Sequence, residues 1–216
     1  MNDVTTAEKV LSYGDRAVAQ GKRVADAPQK KGAPKAPAPP KAPPAHVTAA
    51  RSVWQNQLAG VVGGAAVTIE DLSKAPSAAI QRSSFAAWTN SGTEIYVSKS
   101  ASTDANALFV VLHHEAEHIV DFRKNGNRPP VDYAAMMRFE CTAYGASTTM
   151  CAGHANPDVK QYEPQMKRLR DLFCQKITAV EAATKDPNER NAAYRTFMLG
   201  KDKLLPPHKL IGDLYR

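Results

Sequence analysis

At 216 residues, 43% of them hydrophobic, the chain is long enough for one domain with a real core plus an extension. It lacks a basic, apolar secretory signal at Met1-Asn2-Asp3-Val4-Thr5-Thr6 and any run near the roughly 20 apolar residues of a membrane helix, so synthesis is expected to end in the cytoplasm and export to need another route. The net charge of +7 falls on Lys22, Arg23, Lys30, Lys31, Lys35 and Lys41 around a proline-rich tract and on Lys167, Arg168 and Arg170, without interleaved aromatic residues, which argues for solvated surfaces rather than a specific nucleic-acid partner.

Residues 1–26 show a weak helical pattern through Val10, Tyr13 and Val18, interrupted by Gly14 and Gly21, and read as a marginal or partner-dependent segment. Residues 27–46 hold 7 of the 15 prolines, mixed with Ala and Lys. Such a stretch cannot join a core and reads as an extended linker. A globular domain is expected over 47–216. Ala49 to Leu58 suits a helix ending near Gly60, and Gly63-Gly64 marks a turn. Ser84 to Thr89 and Thr93 to Ser98, separated by Asn90-Ser91-Gly92, read as a β-hairpin.

The next segment carries the chemistry. Within the apolar stretch Leu108 to Phe122 lies His114-Glu115-Ala116-Glu117-His118, a pattern for which a chain of this composition gives about 0.007 chance matches. A helix advances about 100° per residue, so His114 and His118 share a face one turn apart and can converge on one metal ion, with Glu115 beside them. The flanking Leu108-Phe109-Val110-Val111-Leu112 and Ile119-Val120 predict burial, and buried His and Glu demand partners. Thr103 or Asp104 can cap this helix, which should stop at Asn125-Gly126.

After Arg128-Pro129-Pro130 a second helix is expected from about Val131 to Met150, ending near Gly153. Two histidines make a poor zinc site, because catalytic zinc takes three protein ligands and keeps one position for water. The best third ligand is Glu140, on a stripe with Tyr133, Met137 and Tyr144. Met166, Leu169, Phe173, Ile177 and Val180 recur at helical steps, and Asp186-Pro187 starts a further helix through Tyr194 and Phe197. Cys141, Cys151 and Cys174 allow at most one bridge; Cys141 and Cys151 lie too far apart on one helix, Cys174 can meet either, and reduced thiols are the default for a cytoplasmic start. Leu204 to Arg216 is a candidate docking segment.

The His114-Glu115-Ala116-Glu117-His118 motif followed by Glu140 on the next helix resembles the zincin metallopeptidases of the gluzincin type, over roughly Ser84 to Met150. The metzincin subclass fits badly, because positions 121 and 124 hold Asp121 and Lys124. The resemblance implies zinc held by His114, His118 and Glu140, with Glu115 as general base toward a water of lowered pKa. It also implies an edge strand, here Glu94, Ile95 and Tyr96, that pairs with a protein or peptide substrate. Thermolysin-like members carry an Asp four residues after the ligand Glu to orient a zinc-bound His; here Tyr144 stands there, leaving Asp121, Asp132 or a backbone carbonyl for that task. Tyr144 is the first choice for oxyanion donor, ahead of His113, Tyr133 and His154, and fits a core position equally well.

The expected fold class is α+β and mostly helical, with a short sheet beside the metal helix. The leading functional reading is a zinc endopeptidase, similar in organisation to metalloprotease effectors and toxins delivered by bacterial secretion or injection systems, whose apparatus would engage the N-terminal segment. A peptidoglycan peptidase, or an inactive zincin fold that binds a partner, are the alternatives. The intact Glu115 argues against the inactive one, since binding alone has no need of a general base.

Overall fold

The apolar run Leu108-Phe109-Val110-Val111-Leu112 becomes the buried centre of a helix around which the other elements are arranged. The computed structural model describes residues 42–198 except 65, 83, 84, 103 and 129, and the described residues from Pro43 onward belong to one compact unit. In chain order they form α1 (Ala45–Val53), β1 (Thr68–Asp71), the short α2 (Ala78–Gln81), β2 (Ala87–Ser91), β3 (Glu94–Val97), α3 (Ala105–Lys124), α4 (Tyr133–Gly153), the short α5 (Pro157–Lys160), α6 (Glu163–Ala183) and α7 (Pro187–Met198). The class is α+β, mostly helical, with one three-stranded sheet. The N-terminal segment 1–26, the linker up to Lys41, Thr103 and the segment 204–216 lie outside the described residues.

The two long helices that matter most begin on side-chain caps. Asp104 Oδ1 accepts from the backbone N–H groups of Asn106 (2.7 Å) and Ala107 (3.2 Å) at the start of α3. Asp132 Oδ1 does the same for Ala135 (2.7 Å) at the start of α4, satisfying donors that have no partner within a helix. Helix α3 ends where expected: Gly126 and Asn127 take positive φ values of 67° and 60°, and the Asn127 N–H returns to the Phe122 carbonyl at 2.7 Å. Glycine reaches that conformation without steric penalty, and asparagine tolerates it.

Helix α1 starts at Ala45, two residues inside the tract expected to be linker, and its register widens into a π turn over Trp54–Leu58, with the Ala59 N–H bonded to the Trp54 carbonyl. Its first turn is tied to the sheet: His46 Nε2 lies 2.9 Å from Asp71 Oδ2. Arg51 donates to the Ile69 carbonyl from Nε (3.0 Å) and Nη2 (2.8 Å), and to Glu70 Oε1 (2.9 Å). The two Arg51 bonds satisfy the Ile69 carbonyl of β1, an edge strand whose outer backbone would otherwise lack partners there.

The sheet departs from expectation in one respect that bears on the site. Its strand order is β1-β3-β2, with β1 parallel and β2 antiparallel to β3. Glu94, Ile95 and Tyr96 therefore lie in the central strand, and the edge next to α3 is β2. The sequence reading missed β1, Thr68-Ile69-Glu70-Asp71, because so short and acidic a segment has little strand propensity of its own; it is held by pairing with β3 and by Arg51 and His46.

The expectation of reduced thiols is also corrected. Helix α6 packs along α4 and brings the Cα atoms of Cys141 and Cys174 to 5.2 Å, where they form a disulfide. Cys151 stays a buried free thiol. The core runs through α1 (Val47), the π turn after it (Leu58), α3 (Leu108, Leu112, Ile119), α4 (Met137), α6 (Leu169, Phe173) and α7 (Tyr194, Phe197), all nearly or fully buried.

Candidate metal centre

Helix α3 is buried on several sides, so the polar residues in its middle turn are removed from water together with the apolar ones: His113, His114, Glu115 and His118 are all buried. Helix α4 crosses beside them and presents Glu140. The Nε2 atoms of His114 and His118 are 3.1 Å apart; Glu140 Oε2 is 3.4 Å from His114 Nε2, and Glu140 Oε1 is 3.6 Å from His118 Nε2. Ligands at roughly 2.0–2.1 Å from a tetrahedral centre are about 3.3–3.4 Å from one another. The three separations bracket that edge length, so the side chains stand where one ion would hold them.

Unpaired polar atoms point the same way. Glu140 Oε2 is fully shielded, and among the described residues neither it, apart from its 3.4 Å contact with His114 Nε2, nor His114 Nδ1 has a hydrogen-bond partner, a costly state for buried polar atoms. A metal ion on the open side of the triad would satisfy the carboxylate oxygen. Two imidazoles and a carboxylate form a donor set for a transition metal, since calcium and magnesium prefer shells built from oxygen. His114, His118 and Glu140 are thus a possible metal-binding triad.

The charges within the triad are strongly coupled. Burial opposes the charged form of His118, but the carboxylates of Glu140, Glu115 and Asp121 outweigh it and push its pKa up to about 9. Burial likewise opposes ionised Glu140, and His118 and His114 outweigh that, holding its carboxyl well below the usual carboxylate range. Both shifts favour an ionised Glu140 with a proton on the imidazole side, which a metal ion bound there would have to displace.

Aromatic packing surrounds the imidazoles. The ring centroid of Tyr144 lies 4.1 Å from that of His114, and Tyr144 stacks in turn on Phe173 at 5.5 Å. Phe139 stacks on His118 at 6.3 Å. Tyr144, at the place where an orienting Asp was missing from the sequence pattern, thus meets the expected His through its ring. Asp132 is engaged as the α4 cap, and Asp121 Oδ1 lies 3.6 Å from Lys124 Nζ.

Glu115 is fixed from the sheet side. The Thr89 hydroxyl of β2 donates to Glu115 Oε2 at 2.7 Å and lies 3.3 Å from the Glu115 carbonyl oxygen. The sequence did not single out Thr89; its signal is a buried hydroxyl in an otherwise apolar-facing strand position, visible only once β2 is seen against α3. The remaining candidates sit apart from the triad. His113 packs toward α4, with Nδ1 3.4 Å from Ser147 Oγ, and burial together with neighbouring His114 lowers its pKa to about 4. Glu117 Oε1 lies 3.9 Å from His113 Nε2. His154 ends α4 and accepts from the Asn156 N–H through Nδ1 at 3.1 Å. Tyr133 is the first residue of α4, its N–H donating to Asn191 Oδ1 at 2.8 Å.

Comparison with protein-family models, with curated proteins and with solved structures finds no match to this chain.

Proposed function

We propose that the protein is a zinc-dependent peptide hydrolase of the gluzincin kind. The observation that carries this reading is the convergence of His114, His118 and Glu140 at mutual separations of 3.1 to 3.6 Å, with Glu115, their neighbour in the chain, clamped by Thr89. The same three donors also hold non-haem iron; a carboxylate kept beside them without joining them favours hydrolysis.

Zinc bound there would supply Lewis acidity and lower the pKa of a water toward about 7. The residues do the rest. Glu115 takes a proton from the attacking water and delivers it to the leaving amine, as a general base and then a general acid. Neutral His114 and His118 and ionised Glu140 would hold the ion. Tyr144 backs the His114 ring, a positioning role; its hydroxyl as oxyanion donor is the alternative that a phenylalanine variant separates. An extended substrate would pair with the edge strand β2, whose Thr89 faces Glu115.

The Cys141–Cys174 disulfide suits an oxidising compartment and supports the reading of an exported effector or toxin, with a specialised secretion or injection apparatus as partner. Among the described residues no helix is long and apolar enough to cross a membrane.

The test is metal content and cleavage of an unstructured protein in the wild type, Glu140→Ala and Glu115→Ala. One zinc per chain, lost in Glu140→Ala and kept without activity in Glu115→Ala, is the expected result. A wild type that neither binds zinc nor cleaves after zinc is added would overturn the proposal, and bound iron would redirect it.

A further inference from the structure

Thr89 is buried, with 6% of its surface exposed, and a buried hydroxyl costs free energy unless it is bonded. Valine fills such a strand position equally well, so packing alone gives no reason for the oxygen. Its proton goes to the closer and charged acceptor, Glu115 Oε2 at 2.7 Å, because a hydroxyl has one proton and a carboxylate is the stronger acceptor.

The strand itself is shaped for this contact. Strands β2 and β3 are matched residue for residue from Ala87 opposite Val97 to Thr89 opposite Ile95, after which Ser91, not Asn90, faces Glu94. Asn90 is therefore the extra residue of a bulge, pinned by its Nδ2 donating to Glu94 Oε2 at 2.7 Å. A bulge bends its strand and re-aims the neighbouring side chains. This one falls immediately after Thr89.

We propose that Thr89 is the positioning residue of the general base. Its hydroxyl holds Oε2 of Glu115 and so fixes the carboxylate, leaving Oε1 to take the proton of the attacking water; the Thr89 proton stays on Thr89 throughout. Since Thr89 belongs to the edge strand, seating a peptide along β2 and setting the base become one event. The inference rests on the hydrolase reading above.

The experiment compares metal-loaded wild type, Thr89→Val and Thr89→Ser, measuring metal content, KM and kcat on one peptide. All three are expected to hold one metal ion per chain. Thr89→Val is expected to lose about tenfold to a hundredfold in kcat, the scale of a small misplacement of a catalytic group, with KM within about twofold, while Thr89→Ser stays within about threefold of wild type. If Thr89→Val does not fold, Thr89→Ala takes its place with the same expectation. An active wild type matched in kcat by Thr89→Val overturns the inference alone, as does a Thr89→Ser variant as slow as Thr89→Val, or loss of metal on removal of the hydroxyl. A metal-loaded wild type without activity overturns the hydrolase reading, and this inference with it.

Discussion

Breaking the Cys141–Cys174 bridge tests how Glu140, the carboxylate of the possible metal triad, is held. The bonded cysteines are 33 positions apart, and the chain-entropy relation for a loop of that length gives about 3.7 kcal/mol of stabilisation through the unfolded state. At about 2–4 °C per kcal/mol for a domain of this size, the thermal midpoint should fall by roughly 7–15 °C. The perturbation is Cys141→Ser with Cys174→Ser, Cys151 being kept, compared with oxidised and reduced wild type by thermal unfolding in the presence of chelator. Cys141 directly follows Glu140, and α4 and α6 lose a covalent tie next to the ligand, so metal affinity should also weaken on the order of tenfold, as for the loss of other groups that orient ligands. A midpoint that moves by less than about 2 °C on reduction and in the double variant would refute the reasoning, for it would mean that the bridge constrains neither state.

The raised pKa of His118, about 9, makes metal and proton compete: at pH 7 zinc binding should release about one proton from this imidazole, measurable by calorimetry in buffers of different ionisation enthalpy, and no buffer dependence would refute it. His113, lowered to about 4 from the ordinary 6.5, is held neutral in the fold, so its contribution is intact above pH 6.5 and lost as pH falls toward 4, by at most about 3 kcal/mol. The difference between His113→Asn and wild type in urea unfolding of the chelated protein should therefore change with pH across that window, and a flat difference would count against it. Tyr144→Phe keeps the ring over His114 and should retain metal and most of the activity, whereas Tyr144→Leu should weaken metal binding about tenfold. Loss of kcat in Tyr144→Phe at full metal content would instead assign the hydroxyl to the oxyanion.

What the sequence made legible was local. His114 and His118 four apart, Glu115 between them, Asp104 before the helix and Gly126 after it are each readable from one turn of helix, and the structure carries them over that turn. Glu140 was within reach because a carboxylate on an apolar stripe with Met137 and Tyr144 needs a reason to be there. The features that escaped depend on neighbours far along the chain. Strand β1 exists through β3, the disulfide through the packing of α6 on α4, and the bond between Thr89 and Glu115 through the approach of β2 to α3 across 26 positions. The members of these pairs lie 26 to 33 positions apart, farther than a helical or strand periodicity reaches.

The supports around the triad share one logic. A metal site tuned by hydrogen bonds would give His114 Nδ1 an acceptor, yet among the described residues that atom has none. The imidazole is instead backed by a chain of rings: Tyr144 lies tilted against it at 4.1 Å and stacks on Phe173 at 5.5 Å, which meets Phe197 edge to face at 5.6 Å, joining α4, α6 and α7. Ring packing restrains the orientation of an imidazole but leaves its tautomer free, so His114 can keep its proton on Nδ1 and present Nε2 to a metal without a dedicated partner. The consequence is that the geometry of the site depends on the packing of the C-terminal helices. Phe173→Ala, which touches no ligand, should therefore weaken metal binding as well as stability; a variant that unfolds more easily while binding metal as tightly as wild type would show that the chain of rings supports the fold and not the site.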